Sequence, residues 1–102
     1  MKIIKRNGTS VDFNASKIYN AMVKAASSVY VVPDDLKENL SRIAHSIEAQ
    51  LHENGMEVVT ISMVQALVEE RLLSAGYLHI AEHYISYRLQ RDVDRTDYKG
   101  KV

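Results

Sequence analysis

The fold of this chain is decided near its start, in Ile3-Ile4-Lys5-Arg6-Asn7-Gly8-Thr9-Ser10-Val11-Asp12-Phe13-Asn14. Asn-Gly supplies the positive φ values that a type I′ turn demands, so the stretch reads as a β-hairpin centred on Asn7-Gly8. Val11 and Phe13 alternate with Ser10 and Asp12, the period-two pattern of a half-buried strand. Asn14 follows as an N-cap, its side-chain oxygen suited to take one of the orphan amides of a helix start. Ile18, Ala21, Met22, Ala25 and Val29 then recur at helical spacing and make one apolar stripe.

Outward from there the pattern stays helical. Tyr30-Val31-Val32-Pro33 interrupts, and Pro33-Asp34-Asp35 opens a second helix whose acids complement the dipole of its first turn. Leu36, Leu40, Ile43, Ala44, Ile47 and Leu51 form its stripe, and Gly55 stops it. Met56-Glu57-Val58-Val59 is a short extended piece. Thr60 caps a third helix carrying Met63, Val64, Leu67, Val68 and Leu72. Gly76 ends that helix, and a fourth runs from about Leu78 to about Val93, with Ala81, Tyr84, Ile85 and Arg88 inward. The order β-β-α-α-β-α-α predicts an α+β, mostly α domain, a four-helix bundle capped by a small three-stranded β-sheet made of the hairpin plus one short strand. Residues 1–94 read as one domain and 95–102 as a polar tail.

Composition bounds the chemistry. The chain has 102 residues, 13 Lys+Arg against 13 Asp+Glu, 46% hydrophobic residues, four Gly, one Pro and no Cys. That is an ordinary globular domain with a core of its own. Without Cys it has no disulfide, thiolate metal site or thiol nucleophile. No apolar run suits a membrane span, and Met1-Lys2-Ile3-Ile4-Lys5-Arg6 turns polar too soon for a signal peptide, so a soluble, cytoplasmic protein is expected. The neutral total hides an uneven layout. Residues 1–33 carry five Lys/Arg against Asp12 alone, and residues 34–70 carry eight acids against Lys37 and Arg42. A local positive end suits a small anion better than duplex DNA, which favours a broad basic face.

Lys5 and Arg6 beside a tight turn with exposed amides can hold phosphates, Arg bidentately and Lys as a point charge. On those residues alone, an ordinary hairpin with solvated cations is the favoured reading. Lys17, one turn into the first helix, adds a third cation near the amides that Asn14 introduces. Thr60 can offer a hydroxyl to the same ligand or simply cap. The chain contains no P-loop and no G-x-G-x-x-G, so a nucleotide would be held in another way. His79 and His83 stand at i, i+4, and His45 and His52 a heptad apart, but no third and fourth ligand travels with either pair, and no metal site is expected. Ser27, Ser28, Ser62 and Ser86 lack a base and orienter. Tyr77, Tyr84 and Tyr87 with Arg88, Arg91 and Arg95 read as core-edge tyrosines and solvated arginines, since Asp92, Asp94 and Asp97 offset the charge.

Taken together, Ile3-x-Lys5-Arg6-Asn7-Gly8, Phe13-Asn14-x-x-Lys17-Ile18, Val58-Val59-Thr60 leading to Val68-Glu69, and Ala81-Glu82-x-Tyr84-Ile85-x-Tyr87-Arg88 resemble the ATP-cone domain over residues 2–91. The resemblance implies a four-helix bundle under a three-stranded sheet that binds ATP or dATP, with Mg and no redox cofactor. Such domains usually stand at the N-terminus of ribonucleotide reductase catalytic subunits and act as the overall activity switch, generally by changing oligomeric state. It further implies that Lys5, Arg6 and Lys17 hold the phosphates and that Asn14 helps at the strand–helix junction. Thr60 would contact the nucleotide, Ile3 and Ile18 would pack near the adenine, and Arg88 or Arg91 would reach the phosphates.

Two positions depart from the family pattern. Val11 stands where several members have an acidic or polar residue, and Val64 where some have a polar contact one turn after the threonine. Weaker base or sugar recognition, or loss of a second bound nucleotide, is the implied consequence. The same domain occurs behind a zinc ribbon in a repressor of reductase genes; with no Cys and a motif starting at Ile3, no ribbon is expected here. The chain is expected to be a regulatory unit and not itself an enzyme. Its partners would be an adenine nucleotide, reductase subunits and, with nucleotide, further copies of itself, with no membrane or nucleic-acid partner. The alternatives are a small helical interaction module, the cone of a transcriptional regulator without nucleotide switching, and a nucleic-acid adaptor.

Overall fold

The structure, a computed structural model, describes residues 1–86. Arg88, Arg91, the end of the fourth helix and the 95–102 tail lie outside the described residues. The hairpin consists of β1 (Lys2–Ile4) and β2 (Ser10–Asp12), followed by α1 (Ala15–Ser27), α2 (Asp34–Glu53), β3 (Val58–Thr60) and α3 (Ile61–Ser74). Residues 78–86 are helical and are labelled α4. The expected α+β architecture, helices with a three-stranded sheet, is therefore present.

The sheet order is β2-β1-β3, with β1 antiparallel to β2 and parallel to β3. Ile3 stands opposite Val11 on one side and Val59 on the other. Side chains alternate across a strand, so these three share the face turned to the helices. Ile3 and Val59 are buried there and Val11 packs against them. The same cluster takes in Ile18, Met22 and Ala25 of α1, Leu40, Ala44, Ile47 and Leu51 of α2, and Val64, Val68 and Leu72 of α3. Ile80, Ala81 and Tyr84 of α4 complete it. α2 packs on both α1 and α3. Part-buried Arg71 ties α3 to α2, its guanidinium donating to Ser46 Oγ at 3.0 Å and to Gln50 Oε1.

Four local expectations change. Asn7-Gly8 does not form a type I′ turn: Gly8 has φ +87°, but no non-glycine residue among those described has positive φ. Gly8 N–H donates to Lys5 O at 3.0 Å and Lys5 N–H to Thr9 O at 2.8 Å. This is a type I turn closed by a left-handed glycine, the three-residue hairpin loop. Asn7 spends its side chain on the turn, Oδ1 accepting from Thr9 N–H at 3.1 Å and Thr9 Oγ1 at 2.7 Å. That local bond lets Asn7 stay out of the left-handed region. Second, Val29 falls past the end of α1, where Ser28 caps the helix. Third, Met63 is 40% exposed, so the inner stripe of α3 is Val64, Val68 and Leu72. Fourth, Ile80, absent from the expected stripe, is 1% exposed.

The outer face of the sheet carries one ion pair. Lys2 Nζ donates to Asp12 Oδ1 at 2.5 Å across the β1–β2 ladder. The hydrogen bond from Lys2, and then its charge, hold the Asp12 carboxyl below its ordinary 3.8. A folded-state value below the unfolded one gives stability that is present above about pH 4 and lost as pH falls through the folded value. Both groups are exposed, so the contribution is small. An NMR titration of the Asp12 carboxyl should find its midpoint below 3.8 and back at the ordinary value in Lys2→Met; an unchanged midpoint would show that Lys2 is not the cause.

Candidate functional site

The candidate residues are distributed by the hairpin and the crossover. Lys5 and Arg6 enter the turn at one end of the β1–β2 ladder. Asn14 and Lys17 follow β2 at the other end, where Phe13 N–H donates to Met1 O at 3.0 Å. The two groups are therefore not at one hairpin–helix junction, as the order of residues suggests. Along the strands, the Lys5–Thr9 and Met1–Phe13 pairs stand about 13 Å apart at about 3.3 Å per residue.

The crossover brings Thr60 instead to the Lys5 end. β3 runs parallel to β1 with Thr60 beside Ile4, so α3 begins next to the turn. Arg6 Nη2 donates to Gln65 Oε1 at 3.0 Å, joining the turn to α3 directly. Thr60 is the last residue of β3 and the N-cap of α3, its Oγ1 accepting from Met63 N–H at 3.2 Å. A hydroxyl that accepts in this way still has its proton to donate. Gln65 carried no sequence signal of its own; only the β1–β3 pairing places it against Arg6.

Asn14 caps α1 as expected, Oδ1 accepting from Ser16 N–H at 2.9 Å. Lys17 N–H donates to Asn14 O at 3.1 Å, which sets Lys17 in the first turn. The ammonium groups of Lys5 and Lys17 have no hydrogen-bonding or ion-pairing partner among the described residues, whereas Lys2 is paired with Asp12. The turn offers fewer backbone donors than its sequence suggests, because the amides of Gly8 and Thr9 are already bonded within it. Ile3 and Ile18 are 7% and 8% exposed and belong to the core.

Among the described residues no group of three or more His, Cys, Asp or Glu is placed to hold a metal. His45 and His79 are exposed and lie 3.8 Å from Glu48 and Glu82 on their own helices. No described helix is long and apolar enough to cross a membrane.

The sequence matches the family of the ATP cone domain over residues 1–93. The chain belongs to this family. Relatives of this ATP cone include reductases and a repressor. It is 34% identical over 101 residues to the ribonucleoside-diphosphate reductase subunit alpha of Chlamydia pneumoniae, covering 91% of the chain and 10% of the relative. It is 32% identical over 100 residues to the anaerobic ribonucleoside-triphosphate reductase of Escherichia coli K12, covering 98% and 13%. It is also 34% identical over 94 residues to the transcriptional repressor NrdR of Picosynechococcus, covering 92% and 50%. The cone thus spans a small part of the reductases and half of the repressor.

Within this cone, Val64 is 2% exposed and faces the core, and Val11 lies on the inner face of the sheet opposite Ile3. Neither position offers a polar group to a ligand.

Proposed function

We propose that this ATP cone is a regulatory domain that binds ATP or dATP and controls the overall activity of a ribonucleotide reductase, doing no catalysis itself. The observation that carries the reading is the parallel β1–β3 pairing, which seats the Lys5–Arg6 turn beside Thr60 and the start of α3. Lys5, Arg6 and Lys17 take the phosphates, Thr60 donates its hydroxyl, and Asn14 orders the helix start. Arg88 or Arg91 adds a further cation. Adenine rests at the edge of the core against Ile3 and Ile18. Mg arrives with the triphosphate and is held by it, no cluster among the described residues being placed to take it. The nucleotide-binding unit is residues 1–94, working in the cytoplasm, with 95–102 as a tail. A ligand acts as a switch to the extent that it binds one arrangement better than another. The arrangements here are assemblies with reductase subunits or with further copies of the chain.

The repressor relatives support a second reading, a cone that serves a transcriptional regulator of reductase genes. Calorimetric titration with ATP, dATP and GTP, run at two protein concentrations alongside sizing, tests the proposal. Saturable binding of the adenine nucleotides with weak GTP binding is expected, with a change in size under dATP. No heat with any of them would overturn the nucleotide reading.

A further inference from the structure

We infer that Asn7 is a site of spontaneous deamidation, its side-chain amide closing on the Gly8 nitrogen while Thr9 holds the oxygen that becomes charged. The chain has two Asn-Gly pairs, Asn7-Gly8 and Asn54-Gly55. In such a pair the glycine nitrogen reaches the side-chain carbonyl with no Cβ in its way. The two pairs have much in common. Both are exposed, and both glycines have positive φ with open space where a Cβ would stand. Both glycine N–H groups donate at 3.0 Å, Gly8 to Lys5 O and Gly55 to His52 O. The asparagine side chains differ. Asn7 Oδ1 accepts from Thr9 N–H at 3.1 Å and from Thr9 Oγ1 at 2.7 Å, which draws its carbonyl alongside the Gly8 peptide. Among the described residues no donor meets the Asn54 side chain. The local charge differs as well, because Lys5 precedes the first pair whereas Glu53 and Glu57 flank the second. A cation favours the negative charge that the reaction develops, and a carboxylate opposes it.

The reaction starts when the Gly8 N–H leaves Lys5 O and gives its proton to hydroxide. The nitrogen attacks Asn7 Cγ, a bond forms between them, and the carbonyl electron pair moves onto Oδ1. Two donors already placed on that oxygen stabilise its charge, as in an oxyanion hole. Collapse breaks the Cγ–Nδ2 bond, and Nδ2 takes a proton from water and departs as ammonia. Water then opens the cyclic imide at one of its two carbonyls and leaves aspartate or isoaspartate at position 7. Nothing is oxidised or reduced. Either product sets a carboxylate in the turn beside Lys5, and isoaspartate also adds a backbone methylene to the three-residue loop.

The test keeps the full chain at mildly alkaline pH and body temperature and follows both asparagines by peptide mapping with mass spectrometry, isoaspartate being detected by enzymatic methylation. Asn7 should react at least about tenfold faster than Asn54, the effect of one hydrogen bond to a charged oxygen on a barrier. Thr9→Val removes the hydroxyl donor and keeps the N–H, so it should slow Asn7 by about the same factor and leave Asn54 unchanged. Thr9→Ser, which keeps the hydroxyl, should react at Asn7 like the parent. Equal rates at the two asparagines, or a slower Asn7, would overturn the inference. So would a Thr9→Val chain that reacts at Asn7 as fast as the parent or faster, since the Thr9 bonds would then be idle or protective. The readout is a rate without ligand, so the inference stands or falls apart from the nucleotide reading.

Discussion

Alanine at both Lys5 and Lys17 should weaken ATP binding by at least about a hundredfold while the chain stays folded. A hydrogen bond to a charged group contributes about 1.5–3 kcal/mol, and two at the lower end amount to about 3 kcal/mol, a factor of roughly a hundred. Neither ammonium has a partner in the fold among the described residues, so folding loses little: surface changes of this kind stay within about 0.5 kcal/mol. Calorimetry with ATP and a thermal melt on the same sample separate the two effects. Unchanged ATP binding would show that the phosphates are not held where proposed, and would favour a helical interaction module. Binding to DNA or RNA that falls steeply with salt would instead identify a nucleic-acid adaptor.

Leu72→Ala should have the largest effect on stability. Leu72 is fully buried on the inner face of α3, in the one cluster that joins sheet and helices. Truncating a core leucine costs the lost transfer energy plus the cavity left behind, about 3 kcal/mol. In a domain of this size that lowers the unfolding midpoint by more than about 10 °C. Met63→Ala is the natural comparison, since Met63 is 40% exposed and its truncation should be nearly neutral. Thermal melts followed by circular dichroism check both. A Leu72→Ala loss no larger than that of Met63→Ala would mean that α3 does not bury the face described.

Much of the fold was legible because its signals are local. The Asn14 and Thr60 caps, the acidic start of α2 and the stop at Gly55 each depend on bonds within a few residues, and each stands where the sequence places it. The turn type was misread for a local reason as well. Asn-Gly suits type I′, but Thr9 gave Asn7 a side-chain partner that stabilises a different loop. Met63 was misassigned because the spacing of apolar residues on α3 admits more than one stripe, and only packing chooses between them.

The candidate site divides along the same line. The sequence by itself determined that Lys5, Arg6 and Lys17 flank a hairpin and a helix start, since turn, strand and cap chemistry are short-range. Only the tertiary structure decided that Lys5 and Arg6 share their end of the sheet with Thr60 and Gln65, while Asn14 and Lys17 start from the other. The partner of β1 beyond the hairpin is a segment whose residues pair at a separation of 56 positions (Lys2 with Val58), reached through two helices. No local spacing encodes that pairing. It follows from burying Ile3 and Val59 on one face against the helices, a requirement that exists only once the whole core is assembled.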